Sequence, residues 1–479
     1  MITIKTYQDL LNVGESDKER MAFVQAVIND AQSSPDYKMA CAADEYYAHK
    51  NPTIMNAQQI IYDVLGKALN DPFKPNNKIP CRYYFYFINQ AVQFLLGNGV
   101  TFKNTKTKDK LGPMFDHDLQ RLLTDALNGG VSFGFWNLDH LEIMSLSGSG
   151  GRPCFAPLYD EETGALRSGV RWWQIDENKP LRATLFEEDG LTEYIKPKGK
   201  EMEIYAQKRE YVQVYGESEA TGKVMYTGQN WPKFPVIPMY NVNHQSELVG
   251  GQQSIDAYDL MMSGLVNNVD EGNLVYWVIQ NAGGMSSQDD MEFLERIKTI
   301  HVAHTDGDQQ ITPQSIMANV SPNETALTQL RDRMFEDFMA LDVKNISSGA
   351  ATATQIEAAY EPMLIKSNLL EAQVSEFIFG LLELLGIKDE APSYQRDTIV
   401  NKAEEVQTVL QAAEHLSDQY VTKKILTILG DVDQVEDVMR QKLEEETERY
   451  PKKNEGDGDD EKTENEEAET VPKAETVEE

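Results

Sequence analysis

Apolar positions recur at helical spacing near the two ends of the chain and alternate at strand spacing through its middle. Residues 21–48 and 82–96 carry the three-to-four-residue recurrence of amphipathic helices, the second closed by Gly97-Asn98-Gly99. Helical character extends over 56–69, Asn76-Asn77-Lys78-Ile79-Pro80 reads as a turn, and 100–102 as a short strand. A further helix over 119–127 stops at Gly129-Gly130, where the period changes. From 131 to 243 short β-branched and aromatic runs stand between turns, at 131–138, 156–158, 169–174, 182–186, 191–195, 203–207, 210–215, 223–226 and 236–242. That pattern predicts a mainly antiparallel β region, with Pro235 and Pro238 marking its last strand as an edge.

The helical period returns at 254–280, with Ser254 in capping position, and again at 323–343. Two helices thus bracket an insertion of mixed character, which reads as a helix near 289–297 and a strand at 299–303. A loop of small residues follows, Lys344-Asn345-Ile346-Ser347-Ser348-Gly349-Ala350-Ala351-Thr352-Ala353-Thr354, and runs into a helical stretch over 355–385. With no bulky side chain to anchor it, the loop is free to approach another surface closely. The helix behind it spans about 45 Å at 1.5 Å per residue, and Pro362 predicts a kink in its first third. Short helices over 403–416, 422–429 and 434–448 come next, and 451–479 has almost no apolar residue, so it is expected to be disordered.

Composition narrows the function. At 479 residues the chain is too long for one core, so two or more structural units are expected. Its 78 acidic against 44 basic side chains give a formal charge of −34. Such a surface repels phosphate polymers, because counterion-release binding needs clustered Lys and Arg; a DNA-wrapping or RNA-binding protein is disfavoured. Cys41, Cys81 and Cys154 are widely spaced and form no CxxC pair, which fits small core residues in a reducing compartment. No signal-peptide pattern opens the chain, and 83–96, the most apolar stretch, is too short and too polar to span a membrane.

Chemistry leaves few marks. Gly164 and Gly169 have the spacing of a nucleotide-phosphate loop, but Val170-Arg171 stands where Lys and a hydroxyl are needed. Gly148-Ser149-Gly150-Gly151 is a turn, not a dinucleotide loop, since Pro153 occupies the third glycine position. His301 and His304 point to opposite faces of a strand and lack a third metal ligand. Asp256 with Asp259, and Asp289 with Asp290, read as solvated acidic faces in so acidic a chain. Tyr83-Tyr84-Phe85-Tyr86-Phe87 and Trp172-Trp173, without basic neighbours, read as core or subunit packing. No catalytic residue, cofactor site or metal site is singled out, and no enzyme is expected.

Taken in order, several segments resemble the portal proteins of tailed bacteriophages, in particular the group typical of long-tailed phages of Gram-positive hosts. They are Tyr46-Tyr47-Ala48-His49-Lys50-Asn51, the run Asn77 to Tyr84, and Phe94 to Phe102. Trp231 to Asn243 leads into Gln253-Ser254-Ile255-Asp256-Ala257-Tyr258 and Ser263, and Ile346-Ser347-Ser348-Gly349-Ala350 precedes the long helix. The resemblance covers roughly 46–446; the first 45 residues and the acidic tail do not share it, and Pro362 is not expected in every member.

The resemblance implies an α+β, multi-domain portal fold that assembles as a ring, usually of twelve subunits, at one capsid vertex. It implies a mixed α/β wing over 46–253, stem helices at 254–280 and 323–343 around a clip at 281–322, and a tunnel loop at 344–354. A long kinked wing helix at 355–397 and a helical crown at 398–450 complete it. Lys344, Asn345, Ser347, Ser348, Gly349 and Thr352 would then line the DNA channel. Met285, Asp289, Phe293, Arg296, His301 and His304 would lie on the clip that docks partners. Those partners are the terminase large subunit, the head-completion adaptor, the major capsid and scaffolding proteins, and duplex DNA in transit; no membrane is involved. The location implied is the virion, with host cytoplasm during assembly. The charge fits, because an acidic wall lets a duplex slide where cations would hold it. Another ring-forming connector or minor capsid protein, lacking the paired helices around an insertion, and an enzyme with an unrecognised site remain as alternatives.

Overall fold

The computed structural model describes residues 5–62, 67–70, 74–217, 224–272, 275–280, 288, 310–315, 320–344, 353–396, 402–429 and 438–441. The chain divides into two compact units, Met1–Thr398 and Ile399–Glu479.

The first unit opens with helices α1 (Tyr7–Val13), α2 (Asp17–Ser33), α3 (Pro35–Tyr47) and the short α4 (Pro52–Met55). The single helix expected over 21–48 is two, because Pro35 at the first turn of α3 cannot continue α2 and Ser34 caps the new start through the Tyr37 N–H. The helical reading of 56–69 is also corrected: β1 (Ile60–Tyr62) and β2 (Ala68–Asn70) pair there as an antiparallel ladder. Then follow α5 (Tyr83–Leu96), β3 (Val100–Phe102), α6 (Thr105–Leu111) and α7 (Phe115–Gly129), which ends on Gly130 at φ 84°. That left-handed cap costs glycine nothing, and a side chain there would also meet the Gln245 backbone.

Ten strands come next: β4 (Val131–Asn137), β5 (His140–Ser145), β6 (Cys154–Tyr159), β7 (Leu166–Trp173), β8 (Leu181–Glu187), β9 (Gly190–Lys196), β10 (Glu203–Arg209), β11 (Val212–Glu217), β12 (Val224–Gln229) and β13 (Val236–Tyr240). Eight of them form one sheet in the order β10-β9-β8-β7-β6-β5-β4-β13, while β11 and β12 pair as a separate hairpin. All neighbours in the sheet are antiparallel except the single parallel pair Ser145↔Cys154. The last strand lies at an edge, as its prolines require: Pro238 sits opposite Phe133 and has no N–H to give.

Alternation sorts the side chains of this sheet between two faces. Ala156, Leu158, Val170, Trp172, Leu185 and Tyr194 pack under Phe23, Val24, Val27 and Ile28 of α2. The neighbouring residues Phe133, Phe135, Phe155 and Phe186 point the other way and gather with Tyr211 and Phe234.

After the sheet come α8 (Gln252–Gly272), β14 (Val275–Gln280), β15 (Gln310–Ser315), α9 (Val320–Asp337) and α10 (Ala353–Leu384), then β16 (Pro392–Tyr394), which returns to pair with β3. The helix read over 254–280 therefore ends at Gly272, and Val275 to Gln280 pair with Gln310 to Ser315 as an antiparallel ladder. Ser254 lies inside α8 rather than capping it. The largest core joins α5, α7 and α10 to Trp136, Leu141, Ile143 and Met239 of the sheet, to Met334 and Phe335 of α9 and to Phe338 just beyond it. The second unit contributes α11 (Lys402–Gln411) and α12 (Asp418–Leu429).

Candidate functional site

The feature with most functional content is the root of the α8 and α9 pair, the end from which the small-residue loop departs and opposite to the long connection between Gly272 and Val320. The root is built from the aromatic run of α5. Tyr84 and Phe87, three apart, face inward and are fully buried. Phe87 stacks on Phe338 at 4.7 Å between centroids and meets Phe335 edge-on at 5.1 Å, while Tyr83 meets Tyr258 of α8 edge-on at 5.3 Å. Both helices thus seat on one aromatic ledge, with edge-to-face geometry that such rings favour.

A polar seam runs beside that ledge. The Asp259 carboxylate accepts from the Cys81 backbone N–H at 2.9 Å and from the Asn51 side-chain amide at 2.8 Å. One turn on, Ser263 Oγ accepts from the Ile79 N–H at 3.0 Å, and Asn267 Oδ1 accepts from the Asn77 N–H at 2.7 Å. Asp270 takes the Asn77 side chain at 2.6 Å. Residues 259, 263, 267 and 270 fall on one helix face, and residues 77, 79 and 81 present every second N–H of an extended segment. Helix side chains do for this segment what a neighbouring strand would otherwise do.

Asp256 completes the seam by accepting from Tyr46 Oη, Asn51 Nδ2 at 3.0 Å and Thr53 Oγ1 at 3.1 Å. The acidic pair read as a solvated face is instead a docking device: Asp259 is fully buried, and burial pushes its carboxyl above the usual range against the pull of the Asn51 and Cys81 donors. Along the sequence Tyr46-Tyr47, Asn77 to Tyr84 and Asp256 to Ser263 are separate marks. The structure brings all three together, and only their pairing explains the polar residues in each.

The base of the small-residue loop is clamped twice. Gln90 holds Leu341 by both of its backbone groups: Gln90 Oε1 accepts the Leu341 N–H at 2.9 Å, and Gln90 Nε2 donates to the Leu341 carbonyl at 3.0 Å. Arg331 forks onto both oxygens of Asp342 at 2.8 and 2.7 Å, lying over the Phe335 ring at 4.5 Å. These bonds from Arg331 hold the Asp342 carboxyl below its ordinary value. The Lys344 N–H caps the same carboxylate at 3.1 Å. A cleft of about 340 Å³ opens here between Arg82, Tyr86, Arg331 and Lys344.

Of the proposed loop residues, Lys344 is placed, exposed, at the end of this clamp. Asn345, Ser347, Ser348, Gly349 and Thr352 lie outside the described residues, as do Met285, Asp289, Phe293, Arg296, His301 and His304. Pro362 sits in the third turn of α10, on its exposed side, and the helix continues unbroken through it.

On the far side of the loop, α10 is tied down along its length. Phe377 fills the space left by Gly134 of β4, and Gly380 lets Ile237 of β13 approach. Lys366 is buried and donates to Glu247 Oε2 at 2.7 Å and to the Phe338 carbonyl at 3.0 Å, which joins α10 to the end of α9. Together these contacts tie α10 to the sheet and to the end of α9; the loop runs in sequence between these two helices. Nothing in them resembles a nucleophile beside a base.

Comparison with known proteins bears on this arrangement. A family model described as phage portal protein, SPP1 Gp6-like, matches residues 30–453. The chain is 22% identical over 439 residues to the portal protein of Bacillus phage SPP1, covering 85% of this chain and 84% of that one. It is 25% identical over 214 residues to the portal protein of Clostridium phage phiCD119, covering 43% of this chain and 47% of that one. A solved structure of an HK97 family phage portal protein from Corynebacterium diphtheriae aligns at 11% identity with a TM-score of 0.32, over 67% of this chain and 96% of that one. The sequence match carries the assignment: the chain belongs to the phage portal protein family, SPP1 Gp6-like.

Proposed function

We propose that this portal protein forms a ring, of twelve copies in the virion, whose central channel passes duplex DNA during packaging and ejection. The observation that supports it is the match to the portal family over residues 30–453, the span that contains the clamped α8 and α9 root and both ends of the loop. In this reading α8 and α9 are the stem, the connection over 281–322 is the clip, and 344–354 is the tunnel loop at the narrowest point. Residues 398–450 are the crown facing the capsid interior.

A net charge of −34 serves that role, since a wall without clustered cations neither binds nor stalls the phosphate backbone. The protein itself is structural and not an enzyme; ATP hydrolysis belongs to the terminase large subunit, which docks on the clip before the head-completion adaptor replaces it. The wing and crown meet the major capsid and scaffolding proteins, first in the host cytoplasm and then in the virion.

Electron microscopy of the purified chain tests this directly. Turbine-shaped rings with a central hole are expected, and a chain that stays monomeric at micromolar concentration overturns the reading. The loop assignment has its own test: a cysteine at Ser348 should react with a thiol reagent too wide for the channel far more slowly in the ring than in the dissociated subunit. Equal rates would place the loop outside the lumen.

A further inference from the structure

The long helix α10 is apolar on two sides. Its inner side carries Leu370, Val374, Phe377, Ile378 and Leu381, all fully buried against the sheet and α5. Its outer side carries Ile365 at 46% exposure, Leu369 at 47% and Phe379 at 48%, with exposed Ala372 between them. The steps of four, three and seven residues put these four in one stripe about 21 Å long. A helix on the surface of a monomer has a polar outer side; one that is apolar all round is packed on both.

We infer that this outer stripe is a subunit contact and that its occupant is a second copy of the same chain, an inference that rests on the ring reading above. Charge selects the occupant. Two copies that each carry −34 can meet closely only where unpaired carboxylates are sparse, and between Ile365 and Phe379 the exposed one is Glu376, since the partly exposed Glu371 is neutralised by Arg396; Asn368 and Gln373 are neutral. Asn368 is already held by Arg396 at 2.6 Å. The cation beside the stripe, Arg396, is largely buried and already paired with Glu371, so nothing here clusters charge for a nucleic acid phosphate, which argues against DNA as the occupant. A ring of identical subunits uses head-to-tail contacts, so the stripe meets a different face of its neighbour and each copy repeats the contact until the circle closes.

The test is the variant Ile365→Glu/Leu369→Glu in the full chain, with Leu369→Met as its conservative partner. Glutamate is a good helix former and both sites are half exposed, so the monomer keeps its fold, which circular dichroism checks. Mass photometry across a concentration series should show the midpoint of assembly rising at least tenfold in the double variant and staying near wild type for Leu369→Met. A wild type that forms rings while the double variant forms them equally well overturns the stripe alone. A wild type that forms none overturns the ring reading and this contact with it. Solvent labelling of the side chains of Ile365, Leu369 and Phe379 that stays low in dilute monomer shows the stripe to be covered by the same chain, and also overturns the inference.

Discussion

Asp259 is shut off from solvent. It is buried between Asn51 and the Cys81 N–H; shortened to alanine, it leaves the Cys81 N–H without its acceptor and Asn51 with Asp256 alone. An unsatisfied buried donor costs about 1–3 kcal/mol, so Asp259→Ala should lower the thermal midpoint by several degrees, whereas Asp256→Ala, at the half-exposed outer end of the seam, should cost less. Equal losses at the two positions would show the seam to be solvated. Asp125 offers a pH readout. Its carboxyl pairs with Arg152, yet burial outweighs that pull and pushes it up to about 6. A carboxyl whose folded value lies above its unfolded value stabilises the protein when protonated. Its contribution is complete below pH 3.8, the ordinary value, and is lost as pH rises through about 6. Wild type should therefore lose stability relative to Asp125→Asn between pH 4 and about 6.5, read as the difference between their unfolding midpoints; a constant difference contradicts it.

At the scale of elements, the mount depends on close approach between α10 and the sheet. A Cβ at Gly134 would stand 2.6 Å from Phe377, a side chain with no room to turn because it is fully buried. Gly134→Ala should lift α10 or strain Phe377 at a cost of about 1–3 kcal/mol, and Gly134→Ala/Phe377→Leu should recover part of it. Calorimetry of the two variants distinguishes this from a strand-propensity effect, which the second substitution would not relieve. Much of this level was legible beforehand. The period change at Gly129-Gly130, the strands from 131 to 243 and the edge position of β13 follow from local alternation and from prolines that cannot donate. The strand β5 escaped notice because its single polar alternation, His140-Leu141-Glu142-Ile143, is too short to count against a turn. At 275–280, Val275, Tyr276, Trp277, Val278 and Ile279 are strand formers, and their pairing with 310–315 won over the helical period carried on from α8.

For the whole molecule, function is a property of an assembly, and the acidic end of the chain has almost no apolar residue to offer a core. Deleting 451–479 should leave ring assembly unchanged by mass photometry, since the segment has no apolar face to bury; loss of rings on truncation would contradict this. The family, the α+β class and the paired helices around an insertion were all visible in the order of motifs. The candidate site was visible only in pieces. Asp256 and Asp259 looked like ordinary surface acid because spacing along a helix records which residues share a face and not what that face meets.

By itself the sequence determined the local periods, the breaks at glycine and proline, the net charge and the family. These depend on backbone sterics, side-chain alternation and composition, which act within a few residues of one another. Only the tertiary structure decided that the extended run at 77–81 docks on α8, that Gln90 and Arg331 clamp the loop base, and that α10 keeps a second apolar side after its first is filled. Each joins residues far apart in the chain. A donor's need for an acceptor is written in the sequence, but which acceptor meets it is fixed only when the chain closes on itself.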